Sequence, residues 1–172
     1  MDFKLHLDMS SILIIYTGGT IGMVKDEETG ALKSFEFDSL IKEIPEIKKF
    51  ALQINIHSFE TPIDSSNMQP QHWLTLAEII YNDYDNHDGF VILHGSDTMA
   101  YTASALSFML ENLSKPVILT GSQLPIGEVR TDAKENLLTA IELASSYKEG
   151  KALVPEVAIY FEYDLYRGNR ST

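Results

Sequence analysis

Four short runs of consecutive apolar residues, separated by segments with helical spacing, restrict this chain to the α/β fold class. The runs are residues 12–15, 90–93, 116–119 and 157–161. They are too short for buried helices and rich in β-branched residues, which predicts strands covered on both faces. Residues 51–59 instead alternate apolar and polar side chains, as a half-buried edge strand does.

The segments between these runs predict helices that connect parallel strands. Residues 71–84, 99–113 and 133–144 carry apolar side chains at helical spacing, and Thr131 or Asp132 can cap the last of them. Strands that alternate with helices through short connections form βαβ units with right-handed crossovers. We therefore expect a doubly wound, mostly parallel sheet with helices on both faces, in which residues 157–161 form the last strand.

Composition excludes several classes of function. The 172 residues suffice for one domain with its own core, and a net charge of −12 without a basic stripe argues against a nucleic-acid partner. Because the chain has no cysteine, disulfides, thiolate metal sites and thiol nucleophiles are excluded. The first eight residues are charged throughout, unlike a signal peptide, and no apolar run could span a membrane. We expect a cytoplasmic protein without a membrane partner.

Three of the apolar runs end in glycine beside a hydroxyl side chain. These turns are residues 17–20, 95–97 and 121–122. In a parallel sheet all three lie at the same edge, where α/β proteins bind their ligands. The polar residues 64–66 follow the alternating strand and can join them. The pattern favours a polar pocket over a set of ordinary strand-ending turns.

The residue types at this edge support acyl transfer. Thr20 could attack a carbonyl carbon while backbone N–H groups of the glycine turns hold the oxyanion. Asp97 could pair with a substrate ammonium or orient a base. His94 is available as that base, although its position directly after a buried strand favours a hydrogen-bonded structural histidine. Glycines at positions 18, 19 and 22 lack the spacing of a dinucleotide-binding loop, which makes nucleotide binding the least favoured alternative.

Two long motifs resemble the signatures of the bacterial, threonine-dependent L-asparaginases. Residues 16–23 read Tyr-Thr-Gly-Gly-Thr-Ile-Gly-Met, and residues 94–101 read His-Gly-Ser-Asp-Thr-Met-Ala-Tyr. The resemblance runs from about residue 11 to 172, and residues 89–113 and 165–170 are most similar to the cytoplasmic type I branch. It implies a Rossmann- or flavodoxin-like N-terminal domain and hydrolysis of L-asparagine to L-aspartate and ammonia. It implies that no metal or organic cofactor is needed. It also implies that the enzyme is a homodimer or homotetramer.

The resemblance assigns catalytic roles to three residues. Thr20 is the implied nucleophile on the side-chain amide of the substrate. Asp97 is implied to hold the α-ammonium group and to belong to a second catalytic group. Ser96 stands at that group's threonine position. Serine keeps the hydroxyl but lacks the methyl group that restricts χ1, so its placement is less fixed.

Further residues are implied to bind the substrate. Ser65 matches a position that contacts the α-carboxylate, with Ser66 beside it, and the backbone of a glycine turn contacts the amide. The full set is Gly19, Asp64, Ser65, Ser66, Gly95, Gly121 and Ser122.

Other family features lack a counterpart in the sequence. Residues 25–35 predict a flap or hairpin over the site, but Ala31 follows Gly30 where the family's flap tyrosine is expected. The family's catalytic lysine comes directly after a segment like residues 170–172, where this sequence stops, and its second, smaller domain is absent. We therefore expect residues 1–172 to be the N-terminal domain of a longer enzyme, inactive alone.

Two alternatives stay open beside asparagine hydrolysis. The first is a related amidohydrolase, either a glutaminase or the asparaginase-like subunit of an amidotransferase. The second is a non-catalytic amino-acid-binding module, which the serine at position 96 and the missing lysine make conceivable.

Overall fold

The computed structural model describes residues 10–25, 32–33 and 44–172, which form three helices and ten strands. The helices are α1 (Pro70–Asp83), α2 (Met99–Met109) and α3 (Ala133–Ala144). The first five strands are β1 (Ser11–Tyr16), β2 (Val24–Lys25), β3 (Leu32–Lys33), β4 (Gln53–Ser58) and β5 (Gly89–Leu93). The others are β6 (Val117–Thr120), β7 (Tyr147–Lys148), β8 (Lys151–Ala152), β9 (Val157–Phe161) and β10 (Asp164–Arg167).

The main sheet has six strands in the order β10-β9-β6-β5-β1-β4. All neighbours are parallel except β9 and β10. The chain moves from β1 outward to β4 and then returns to the other side of β1 with β5. This reversal opens a crevice at the carboxyl ends of β1 and β5, where doubly wound proteins bind ligands. The predicted α/β class and mostly parallel sheet are confirmed.

The core lies on both faces of this sheet because successive side chains of a strand point in opposite directions. Ile12, Ile14 and Tyr16 of β1 pack on the face covered by α3. Leu13 and Ile15 pack on the face covered by α1 and α2. The continuous apolar composition of β1 therefore follows from its central position, whereas the edge strand β4 alternates between exposed and half-buried residues.

The structure differs from the predicted elements in an additional strand and in the end of one helix. The structure adds β10 after the strand expected to be the last, and the turn before it holds Glu162 and Tyr163 at positive φ. The second helix ends at Met109 rather than at Leu113. It stops there because the backbone leaves the helical region at Leu110, whose ψ is 88°.

Only part of the predicted flap falls within the described residues. Strands β2 and β3 pair in antiparallel fashion, and residues 26–31 and 34–43 lie outside the described set. A flap over the site therefore stays a prediction. Within the described ranges, none of the helices combines the length and apolar character needed to cross a membrane.

Candidate active site

The turn after β1 is tied to both neighbouring strands. Thr17 is buried, and its hydroxyl and its backbone N–H both donate to the carbonyl of Leu93, at 3.0 and 3.1 Å. The carbonyl of Thr17 accepts the N–H of Ile63 in the loop after β4, at 2.7 Å. Thr17 therefore has a structural role, joining the ends of β1 and β5 and the loop that follows β4.

Thr20 begins a 3-10 turn, Thr20–Gly22, directly above this anchor. Its side chain is half-buried, and no hydrogen bond joins its hydroxyl to another described residue. The preceding residue, Gly19, has φ 89° and ψ 169°, a conformation nearly restricted to glycine. A Cβ atom on Gly19 would lie 2.6 Å from the backbone nitrogen of Gly95. The β1 and β5 turns therefore meet backbone against backbone.

The turn after β5 contacts the loop that contains Ser65. The buried Ser65 hydroxyl donates to the Asp97 carboxylate at 3.3 Å, and the Thr98 hydroxyl donates to the Ser65 carbonyl at 2.7 Å. A Cβ atom on Gly95 would lie 2.5 Å from the Ser65 Oγ. The Ser96 and Asp97 side chains themselves are exposed. The turn thus presents a carboxylate and a hydroxyl to solvent on an anchored backbone.

Asp64 organises the 3-10 turn Ser65–Asn67 as its N-terminal cap. Its Oδ1 accepts the Ser66 hydroxyl at 2.8 Å and the Ser66 backbone N–H at 3.0 Å. The hydroxyl first, and the N–H second, lower the pKa of the Asp64 carboxyl below its usual value. Asp64 and Ser66 are exposed, whereas Ser65 points inward, toward Asp97.

The turn after β6 is packed as closely as the other two. A Cβ atom on Gly121 would lie 2.3 Å from the carbonyl oxygen of His94. Asn136 of α3 donates to the Gly121 carbonyl at 2.9 Å. The buried Ser122 hydroxyl donates to the Leu124 carbonyl at 2.6 Å. The Ser122 hydroxyl thus serves its own turn, which leaves the backbone as the part available to a ligand.

Asp132 has a role that the sequence reasoning did not identify. Its carboxylate accepts the backbone N–H groups of Gln123 and Leu124, at 2.9 and 3.1 Å. Thr131 instead accepts the N–H of Ala133 at 3.0 Å, so the threonine serves the start of α3. Asp132 therefore fixes the loop after Ser122, from which the Gln123 amide donates to the Ser96 hydroxyl at 3.4 Å. The sequence around Asp132 identifies it as a candidate helix cap but does not indicate its contacts with Gln123 and Leu124.

His94 is not available as a base. It is fully buried, and both of its ring nitrogens have hydrogen-bond partners within the protein. Burial lowers the pKa of its imidazole, and the contact with the Gly95 carbonyl offsets this only in part. The structure thus agrees with the structural interpretation of His94.

A cavity of about 430 Å³ opens beside Ser96, between α2 and the carboxyl end of β9. Its lining includes the apolar side chains of Met99 and Ile159 and the polar residues Tyr166, Arg170 and Thr172. Of the candidate site residues, Ser96 lines this cavity, while the three turns and residues 64–66 lie at the same edge of the sheet. That edge holds hydroxyl groups, an exposed carboxylate and backbone N–H groups, the set that acyl transfer to a hydroxyl requires.

The sequence matches the model of a protein family, described as the N-terminal part of asparaginase, over residues 11–172. It is 48% identical to L-asparaginase 1 of Escherichia coli over 167 residues, which cover 96% of this chain and 48% of that protein. It is 38% identical to a glutamyl-tRNA(Gln) amidotransferase subunit of Methanopyrus kandleri, over 85% of this chain and 32% of the relative.

Solved structures give the same match. The crystal structure of L-asparaginase I from Vibrio cholerae superposes with a TM-score of 0.83 at 46% identity, covering 95% of this chain and 48% of that one. The thermostable L-asparaginase from Thermococcus kodakarensis gives 0.81 at 36% identity, over 92% and 46%. The chain spans about half the length of these L-asparaginases. From its motifs, its fold and these matches, the chain belongs to the asparaginase family and corresponds to its N-terminal domain.

Proposed function

We propose that these residues form the N-terminal domain of an enzyme that hydrolyses L-asparagine to L-aspartate and ammonia. One observation carries the proposal: the turns after β1 and β5 meet at Gly19 and Gly95, and Ser65 of the adjoining loop donates to Asp97. These contacts gather the implied nucleophile and the implied amino-acid-binding groups at the same edge of the sheet.

The exposed groups suit the two charged ends of an α-amino acid. Asp97 presents a carboxylate that can accept hydrogen bonds from an α-ammonium group, because only one 3.3 Å contact with Ser65 engages it among the described residues. The hydroxyls of Ser65 and Ser66 would donate to an α-carboxylate by turning away from Asp97 and Asp64, the carboxylates to which each gives its single proton in the structure. The side-chain amide of the substrate would then extend toward Thr20.

The proposed reaction passes through an ester on Thr20. The Thr20 hydroxyl loses its proton as its oxygen bonds to the amide carbon, the C–N bond breaks, and the nitrogen takes up one proton in exchange and leaves as ammonia. Water then adds to the ester carbon, which releases L-aspartate and returns the hydroxyl to Thr20. Backbone N–H groups at the turns after β1 and β6 would stabilise the oxyanion in both steps.

Ser96 and Asp97 would form the second catalytic group together with the lysine that the family places after a segment like residues 170–172. We propose that this lysine and a second domain lie beyond Thr172 in the full-length protein. That protein is the subject of the experiments below. We further propose that it is cytoplasmic, acts as a homodimer or homotetramer, and uses neither a metal ion nor an organic cofactor.

The decisive experiment compares ammonia release by the full-length protein and its Thr20→Ala variant. Removing the nucleophile should lower kcat by several powers of ten while the thermal midpoint changes little, because no described residue is bonded to that hydroxyl. Thr139→Ala is a matched control, since Thr139 is on α3 and its hydroxyl bonds locally, to Glu135. Near-normal ammonia release from Thr20→Ala would contradict the assignment.

The identity of the amide substrate is a second question for the same assay. The similarity to an amidotransferase subunit keeps glutamine as an alternative. Steady-state rates with asparagine and with glutamine separate these two activities. Calorimetry that shows aspartate binding by a full-length protein that releases no ammonia would instead favour a binding module.

A further inference from the structure

A chain of three hydrogen bonds, buried at its centre, runs from α1 to the backbone of the turn after β5. The indole nitrogen of Trp73 is 3.0 Å from the Thr102 hydroxyl. That hydroxyl is 2.9 Å from Nε2 of His94, and Nδ1 of His94 is 2.7 Å from the carbonyl oxygen of Gly95. Thr102 and His94 are both completely buried. We call these three side chains the Trp73 relay.

While the imidazole is neutral, only one arrangement of protons satisfies the whole relay. An indole nitrogen can only donate and a carbonyl oxygen can only accept. The Thr102 hydroxyl therefore accepts from Trp73 and donates to Nε2 of His94. Nε2 must then be unprotonated, so the imidazole carries its proton on Nδ1 and donates it to the Gly95 carbonyl. Burial, which lowers the pKa of His94, keeps the ring in this neutral form.

The acceptor of the last bond belongs to the peptide between Gly95 and Ser96. The same turn contacts Gly19 on one side and Ser65 on the other, and it leads directly to Asp97. The hydrogen bonds of the exposed side chains are longer, 3.3 Å for Asp97 and 3.4 Å for Ser96. The 2.7 Å bond from His94 thus fixes this turn from the core side.

We propose that His94 is a positioning residue for the amide hydrolysis, acting through the Gly95 carbonyl, with Thr102 and Trp73 selecting its tautomer. The proposal rests on the proposed function, because the turn it fixes carries Ser96 and Asp97. A core histidine that only satisfies its own hydrogen bonds would affect stability alone. A positioning residue affects turnover through the one bond that reaches the turn.

Two substitutions of His94 separate these roles. In His94→Asn the side-chain amide nitrogen replaces Nδ1, which keeps the donor to Gly95 and loses the acceptor for Thr102. In His94→Gln the amide oxygen replaces Nε2, which keeps the acceptor for Thr102 and loses the donor to Gly95. The two variants therefore each retain one end of the relay.

We expect stability and turnover to rank these variants in opposite orders in the full-length enzyme. His94→Gln should have the higher thermal midpoint but a kcat at least about tenfold below that of the wild type, since small misplacements of reacting groups cost large factors in rate. His94→Asn should be less stable and stay within a few-fold of the wild-type kcat. If kcat instead follows the thermal midpoint, His94 is only a structural residue.

A second pair of variants tests the relay if substitution of His94 prevents folding. Thr102→Val should lower kcat, and Thr102→Ser, which restores the hydroxyl, should recover it. Ser107→Ala is the matched control, because it also removes a hydroxyl from α2, one that donates to the Ala103 carbonyl of the same helix. Equal kcat for the valine and serine variants would overturn the proposal.

Nitrogen-15 NMR of the histidine rings reads the tautomer directly, and a proton on Nε2 of His94 in the wild type would also overturn the relay.

If the wild type releases no ammonia from asparagine or from glutamine, the proposed hydrolysis fails. Aspartate affinity by calorimetry then replaces kcat, with weaker binding expected for His94→Gln than for His94→Asn. Equal affinities would reject the positioning role on their own.

Discussion

The contact between the β1 and β5 turns can be tested through Gly19 alone. Gly19→Ala should destabilise the protein for two separate reasons. Its φ of 89° with ψ of 169° costs a residue with a Cβ about 1–3 kcal/mol. The new methyl group would also lie 2.6 Å from N and 2.7 Å from Cα of Gly95, an overlap with backbone that costs a further ~1–3 kcal/mol.

Three other glycines separate these two costs. Gly150 has φ 75° and no atom within 4 Å of its Cβ position, so Gly150→Ala should lose only the backbone part, about 1–2 kcal/mol. Gly89 lacks a positive φ but its Cβ would lie 2.1 Å from the Ala144 carbonyl oxygen, so Gly89→Ala measures overlap alone. Gly127 has neither feature, and Gly127→Ala should be neutral or stabilise by up to about 1 kcal/mol.

Urea unfolding of the four variants measures these differences, with the slope of the transition checked for constancy. Gly19→Ala should lose about 2–6 kcal/mol of the free energy of unfolding, a large part of the ~5–15 kcal/mol typical of a domain. This loss should exceed that of Gly150→Ala, because Gly19→Ala adds the overlap with Gly95 to the backbone cost. A loss no greater than that of Gly150→Ala would refute the close approach of the two turns.

Three further predictions concern the edge of the sheet. Ser96→Thr in the full-length enzyme should change kcat by no more than about tenfold, whereas Ser96→Ala should lower kcat much further because it removes the hydroxyl. Equal kcat with serine, threonine and alanine would show that position 96 has no chemical role. Ser66→Ala should raise the pKa of Asp64 toward its ordinary value, because the hydrogen bond from the Ser66 hydroxyl is the main cause of the lowered pKa. An NMR titration that gives Asp64 the same pKa in the variant and the wild type would contradict this prediction. The 172-residue chain alone should fold but release no ammonia, because the family's lysine is missing and water enters an open pocket; activity equal to that of the full-length protein would contradict this.

Much of this architecture could be predicted because it follows from periodicity. Consecutive apolar residues at 12–15 required burial on both faces, and the alternation at 51–59 required an edge. Because the carboxyl ends of parallel strands lie at the same edge of a sheet, the glycine and hydroxyl residues after three of these strands share one edge. The strand pattern alone therefore predicts the edge at which the candidate site lies.

Contacts between distant residues could not be predicted in the same way. Asp132 was expected only as a possible helix cap, and its bonds to Gln123 and Leu124 depend on how the loop returns to α3. Strand β10 follows a turn in which Glu162 and Tyr163 adopt positive φ, a conformation that non-glycine residues rarely signal in sequence. The Trp73 relay joins three elements whose facing sides are set by packing alone.

The central place of β1 in the sheet also affects how the chain is made. Among the described strands of the sheet, β1 is the first to be synthesised, yet its hydrogen-bonding partners are β4 on one side and β5 on the other. Translation from Tyr16 to Leu93 takes about 4–15 s at roughly 5–20 residues per second. During that time a strongly apolar strand has left the ribosome while at least one of its edges is unpaired. We expect chaperones to bind this segment of newly made chains until β5 is complete, because an unpaired apolar edge can pair with other molecules.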